Sequence, residues 1–210
     1  MMTGVSTDLE RVCSALASEG VAGVDDFGHF VNDTTYLLPS GFDEKAAMPT
    51  LVALLPTLTD RTVVEATARH LGRPWARPGA FPTLLAAFRE WAPRDWTTGW
   101  AIGDSLVSTA TPADLDSLLD VATNEAYGKA RQMIVQSLWR YRKDERVAAV
   151  LGDLAEQPDV CLHAMSALRR AIGNDAAIPL LLRLSGSSPE ETVRQQAASQ
   201  LKKARRAERT

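Results

Sequence analysis

The three histidines are the first residues to consider as catalytic or metal-binding groups. His29, His70 and His163 lie far apart in the sequence, and no HExxH or CxxC motif occurs. Metal centres and nucleophilic sites need such groups at short, regular spacing. The chain also lacks the GxGxxG and GxxxxGK phosphate loops and the GxSxG elbow of esterases. We therefore predict a protein without catalytic residues, metal or cofactor.

Tryptophan and arginine are the residue types that could form a binding surface in this chain. They are enriched among the residues that dominate the energy of protein interfaces, although tryptophan packing inside the fold is the alternative at each position. Trp139 directly follows Leu138, so it cannot share the same buried stripe of a helix, and we expect it to be exposed or to lie between helical units. The candidate partner-binding residues are Trp96, Trp100, Arg131, Trp139, Arg140 and Arg142.

Charge is distributed unevenly along the chain, although the formal net charge is only -3. Residues 1–126 contain 8 basic and 17 acidic side chains, whereas residues 127–210 contain 15 basic and 9 acidic ones. Basic residues at a helix C-terminus suit the helix dipole, which explains part of the excess. The other explanation is an anionic partner that binds the second half of the chain.

A nine-residue segment, ARQMIVQSL at residues 130–138, recurs along the sequence and indicates helical repeats. Similar segments are TGWAIGDSL at residues 98–106, VCLHAMSAL at residues 160–168 and VRQQAASQL at residues 193–201. Apolar or small residues stand at the first, fifth and ninth positions in most copies, as one face of a helix requires. An interval of roughly 30 residues is typical of solenoids, in which stacked helical pairs build one continuous core.

The composition also favours helices. Alanine and leucine are frequent, and only 6% of the residues are aromatic. Runs of alternating β-branched residues, which strands favour, are scarce. No segment reaches the roughly 20 apolar residues that would cross a bilayer, and no signal-peptide pattern begins the sequence. We therefore predict an all-α protein in the cytoplasm without membrane contact.

The order of helical patterns predicts two parts. Residues 1–42 contain a first helix and a weakly patterned segment, interpreted as an N-terminal helical cap and loop. Residues 43–210 contain successive helical pairs, interpreted as a repeat array that forms one continuous domain with the cap. Predicted signals include a helix start at Asp43, a helix stop at Gly72 and one long helix from Tyr127 to Arg142.

The repeated segments resemble HEAT repeats. The run PEETVRQQAASQL, with its proline, the pair Val193 and Arg194 and the small residues before Leu201, carries the resemblance most clearly. It covers about residues 43–206 and implies four to five helical hairpins in a right-handed, armadillo-like superhelix. The sequence departs from the pattern at Gly99 and Cys161, which stand where Arg131 and Arg194 stand in the other copies.

Three functional hypotheses follow from this resemblance. The first is a non-enzymatic scaffold whose concave surface binds a protein or peptide. The second is a nucleic-acid-binding protein similar to the DNA alkylation-repair glycosylases built from HEAT-like repeats, with Asp104 as the acidic residue; the acidic first half disfavours it. The third is a tetrapyrrole lyase or a helper of metalloenzymes, for which the cysteine and histidine positions offer no support. We favour the protein-binding module.

Overall fold

The computed structural model describes residues 7–32 and 41–207, and all regular secondary structure in these residues is helical. The prediction of an all-α protein is confirmed. Contacts divide the chain into two compact units, Met1–Ala110 (unit 1) and Thr111–Thr210 (unit 2). The predicted boundary near residue 42, between a cap and a single repeat array, stays a prediction. Within unit 1, α1 (Thr7–Ser18) and α2 (Val24–Asn32) pack with the helices that follow them.

Unit 1 continues with four more α-helices in its described residues. The pairs in contact are α1 with α2 and α3, α4 with α2, α3 and α6, and α5 with α6. Buried aliphatic and aromatic side chains such as Phe27, Leu51, Phe88 and Ile102 form the core. The helix bounds are α3 Glu44–Leu54, α4 Arg61–Leu71, α5 Phe81–Trp91 and α6 Trp96–Thr109.

Aspartate side chains begin three of these helices. The carboxylates of Asp43, Asp60 and Asp95 each accept hydrogen bonds from backbone N–H groups in the first turn of α3, α4 and α6. These amides have no partner within the helix, so an N-cap side chain stabilises the helix start by about 1 kcal/mol. Hydrogen bonds led by that from the Thr97 hydroxyl lower the pKa of Asp95 to about 2. The predicted helix start at Asp43 is confirmed.

Gly72 ends α4, as predicted, and it also sets how closely α4 approaches α6. A Cβ atom at this position would lie 2.9 Å from Cα, Cβ and Oγ of Ser105, which is too close for carbon atoms. Ser105 is buried, and its hydroxyl donates to the backbone oxygen of Ala101. Neither the backbone of Ser105 nor its side chain can therefore move aside freely.

We expect Gly72→Ala to destabilise the chain by about 1–3 kcal/mol, because overpacking forces α4 and α6 apart. Gly152→Ala is the matched control, since nothing lies within 4 Å of a Cβ at that helical glycine. The control should be neutral or stabilising by up to about 1 kcal/mol. Urea unfolding of both variants tests this, and equal midpoints would contradict the predicted close contact.

Unit 2 contains six α-helices in its described residues, and their contacts follow the repeat pattern. α8 packs on α10 and α10 packs on α12, while α10 also contacts α9 and α11. This nearest-neighbour stacking is that of a helical solenoid. The bounds are α7 Leu115–Thr123, α8 Gln132–Ser137, α9 Glu145–Leu154, α10 Cys161–Ile172, α11 Asn174–Ser187 and α12 Glu191–Ala207.

The repeated positions found in the sequence are the buried positions of unit 2. One face of a helix presents residues at intervals of four, and each copy places its apolar residues at this interval. The first, fifth and ninth residues of the three copies in unit 2 are buried, which confirms that the repeat describes packing. They are Ala130, Ile134, Leu138, Val160, Ala164, Leu168, Val193, Ala197 and Leu201.

The helix predicted from Tyr127 to Arg142 is interrupted. Gly128 has φ 45° and ψ -128°, a conformation that residues with a Cβ avoid, and it breaks the helix before the buried face begins. Residues Glu125–Arg131 and Leu138–Tyr141 form 3-10 turns on either side of the short helix α8. The prediction of one long helix is therefore wrong, although its apolar face packs as expected.

Candidate interaction surface

Trp139 lies in the 3-10 turn that follows α8, at the edge of the unit 2 core. Its neighbour Leu138 is fully buried, whereas Trp139 is half-buried and Arg140 is exposed. The prediction that Trp139 lies outside the buried stripe is confirmed.

Two arginines lie over the Trp139 ring. The guanidinium carbon of Arg170, from the last turn of α10, lies 3.8 Å from the ring centroid, and that of Arg142 lies 5.9 Å away. The face of an indole attracts a cation, and such contacts contribute about 0.5–1 kcal/mol at exposed sites. A stacked guanidinium still has its edge N–H groups available for carboxylates or phosphates.

Asp144, which follows this turn in the sequence, is already paired with another arginine. Arg146 donates hydrogen bonds to Asp144 and to Asp116 at 2.8–2.9 Å. Arg142 and Arg170 are exposed and form no ion pair within the described residues. We call the group of Trp139, Arg140, Arg142 and Arg170 the Trp139 surface; it is a basic and aromatic patch.

Arg131, one of the residues predicted to bind a partner, is buried instead. It is 2% exposed, and it donates to the backbone oxygens of Ala122 and Gly128 and to the side-chain oxygen of Gln157, at 2.8–3.1 Å. Burial lowers the pKa of Arg131 from its ordinary value. Each of its three side-chain nitrogens donates a hydrogen bond within unit 2, and the residue is almost fully buried, so we leave Arg131 out of the interaction surface.

The position of Arg131 has a common structural role in the repeats of unit 2. Arg194, two copies later, donates to the backbone oxygens of Ser188 and Pro189 in the turn before α12. Cys161, in the copy between them, places its Sγ 3.5 Å from the backbone oxygen of Pro158. Each of these three side chains thus contacts a carbonyl group of the preceding turn. Cysteine in place of arginine at position 161 changes the donor atom but keeps this contact.

Trp96 and Trp100 belong to unit 1, whereas the other four candidates belong to unit 2. Trp96 is the first residue of α6 and is 52% exposed, whereas Trp100, one turn later, is half-buried. Gly99 between them is buried in the α6 packing face. The exposed Trp96 ring therefore forms an apolar surface at the start of α6, whereas much of Trp100 packs inside unit 1.

Arg170 was missed by the sequence reasoning, although a signal for it exists. It follows Arg140 at the same interval that separates Ala130 from Val160, the first residues of two repeat segments. Residues at equivalent repeat positions lie on neighbouring turns of the stack, so Arg170 could have been placed beside the Trp139 segment. Only the structure shows that it lies over the indole ring.

Neither a metal centre nor a membrane span is found in the described part of the chain. No group of three or more histidine, cysteine, aspartate or glutamate residues there could hold a metal ion. No described helix is long and apolar enough to cross a membrane. Cys161 is buried, and burial raises the pKa of its thiol.

Stacked helical pairs with a repeated buried face define unit 2 as an α-helical repeat protein of the solenoid class. Residues 116–202 match the family model of HEAT repeats, so this part of the chain is similar to HEAT repeats. The match supports the resemblance seen in the sequence. No curated protein and no solved structure matches the chain. HEAT repeats are in general modules for protein interaction or scaffolding, which is as far as the family defines the function.

Proposed function

We propose that this protein is a non-enzymatic binding module and that the Trp139 surface binds an acidic segment of a protein partner. The observation that carries the proposal is the exposed pair Arg142 and Arg170 over the half-buried Trp139 ring. The HEAT-repeat match supports an interaction module as the general class. A cytoplasmic location stays a prediction from the sequence.

The arrangement suits carboxylates for two physical reasons. Stacking on Trp139 restricts the guanidinium of Arg170, so less side-chain entropy is lost when it forms paired hydrogen bonds with a carboxylate. The indole offers apolar area beside these donors, and an interface centre usually combines such an aromatic anchor with arginine. Residues 127–210 contain more basic than acidic side chains, and this positive charge would also attract an acidic partner.

We expect Trp139→Ala and Arg170→Ala each to weaken binding of an acidic peptide at least tenfold. The probe is a labelled ten-residue peptide of alternating glutamate and leucine, titrated by fluorescence anisotropy at low and physiological salt. Arg183→Ala is the matched control, because Arg183 is an exposed arginine of unit 2 that pairs with Glu156 instead. Its affinity should change less than twofold.

The same titration distinguishes the nucleic-acid hypothesis. A labelled duplex DNA of twenty base pairs should bind more weakly than the acidic peptide at physiological salt. Tighter binding of DNA, lost in Trp139→Ala, would replace the protein partner with a nucleic acid. Unchanged peptide affinity in both variants would refute the Trp139 surface as the binding site.

Unit 1 has its own candidate contact in Trp96. With 52% of its surface exposed at the start of α6, Trp96 is retained as a proposed partner-binding residue, together with its half-buried neighbour Trp100. A pull-down with Trp96→Ala, beside Trp139→Ala, separates the contributions of the two units.

A further inference from the structure

A polar cleft of about 430 Å³ lies in unit 1, beside the last turn of α4 and the middle of α6. It belongs to none of the features discussed for unit 2. This volume lies within the range of small-molecule sites. The side chains that matter here are Phe30, Arg69, His70, Arg73, Asp104 and Ser105.

His70 is a buried polar group that has no hydrogen-bond partner among the described residues. It is 2% exposed, and neither of its ring nitrogens forms a hydrogen bond. The ring contacts Phe27, Phe30 and Phe42, with centroids 4.9–5.2 Å away. Nδ1 lies 3.4 Å from Oε1 of Glu44, which is a distant approach rather than a good hydrogen bond.

Arg69, the residue before His70, also has a buried nitrogen without a hydrogen-bond partner among the described residues. Nε of Arg69 is buried and has no hydrogen-bond partner in residues 7–32 and 41–207, and Arg69 lines the same cleft. An unpaired buried donor or acceptor costs about 1–3 kcal/mol, so native proteins keep few of them. Two adjacent residues at one cleft thus carry nitrogens that no described residue satisfies, and a ligand is the kind of partner that fills such a place.

The charged side chains of the cleft indicate which charges a ligand there would have. Arg73 already donates two hydrogen bonds to Glu44, at 2.6 and 3.1 Å, so these two charges compensate each other. Arg69 and Asp104 form no ion pair within the described residues, with each other or with a third group. One positive and one negative side chain therefore face the same cleft with their charges uncompensated.

We propose that this cleft binds a small zwitterion of the α-amino acid class, with its carboxylate held by Arg69 and His70 and its ammonium group held by Asp104. Burial lowers the pKa of His70 to about 4, so the ring is neutral at pH 7 and has one N–H, which can donate to a ligand in the tautomer that carries the proton on Nε2, away from Glu44. A neutral donor beside an arginine binds a carboxylate without adding a second buried charge. Phe30 provides an apolar wall for a side chain of the ligand.

The first test compares whole zwitterions with their halves on the full chain. L-serine and L-phenylalanine are titrated by calorimetry beside propionate and ethylammonium, which carry one of the two charges each. We expect each single-charge probe to bind at least tenfold more weakly than the better amino acid. The ring ¹⁵N resonances of His70 should shift with the amino acid, because the carboxylate contacts that ring.

Variants then assign the two charges. Arg69→Met should weaken amino acid binding at least tenfold and Asp104→Asn should do the same, while Arg89→Gln, on the exposed face of α5, should leave it unchanged. Melting temperatures of all variants show whether any loss arises from unfolding. The proposal is overturned if neither amino acid at 20 mM shifts the His70 resonances, or if propionate binds as well as L-serine and L-phenylalanine do.

Discussion

Replacing Arg131 with alanine is expected to destabilise unit 2 by about 3–4 kcal/mol, a loss typical of a broken buried hydrogen-bond network. The substitution removes hydrogen bonds to Ala122, Gly128 and Gln157 at once. It leaves their oxygens without these donors and creates a cavity where a large, fully buried side chain lay.

The loss should appear in hydrogen exchange of the α8 and α10 amides and in the midpoint of urea unfolding. Arg131→Lys keeps the charge but cannot reproduce the planar three-way contact, so we expect an intermediate loss. Arg142→Ala is the control, since exposed Arg142 should change stability by less than about 0.5 kcal/mol. Equal stability of Arg131→Ala and Arg142→Ala would contradict the buried role of Arg131.

The stability of unit 1 is expected to fall by about 3 kcal/mol as the pH is lowered from 6.5 to 4, because of His70 alone. Burial lowers its pKa from 6.5 to about 4, the nearby Glu44 carboxylate opposing the shift and Arg73 adding to it. Below pH 6.5 the unfolded chain binds a proton that the folded chain excludes, which favours unfolding. This stability is fully present above pH 6.5 and is lost towards pH 4.

His70→Phe should remove this contribution, because phenylalanine does not titrate and the site is already surrounded by phenylalanine rings. The difference in unfolding free energy between the variant and the natural chain should therefore change with pH between 6.5 and 4. Parallel pH profiles for His70→Phe and the natural chain would rule out the buried neutral histidine.

The helical repeats could be predicted because their signal is local. Apolar residues at intervals of four define one face of a helix, and the return of this pattern at Val160 and Val193 defines a stack of such helices. All nine repeated positions of unit 2 are buried as this argument requires. The interruption at Gly128 was missed because a glycine in a helical pattern does not reveal the sign of its φ.

The roles of individual arginines could be predicted only in part. Arg131, Arg140 and Arg142 are close in sequence, yet Arg131 binds backbone oxygens inside unit 2 and the other two are exposed. Which arginine is buried depends on the direction of the chain in the 3-10 turns around α8, and sequence periodicity does not describe such turns. The repeat interval did contain a signal for Arg170, since it connects that residue with Arg140.

The sequence alone determined the helical class, the repeat interval, the buried face and the absence of recognisable catalytic motifs, because each depends on residue types at short spacing. Tertiary structure alone decided which polar groups are satisfied within the chain. Arg131 donates to three oxygens and Arg170 stacks on an indole ring, whereas nitrogens of His70 and Arg69 are buried beside one cleft without a hydrogen-bond partner among the described residues. Hydrogen bonding and burial depend on atoms from distant segments, such as Gly72 and Ser105, that meet only after the helices have packed.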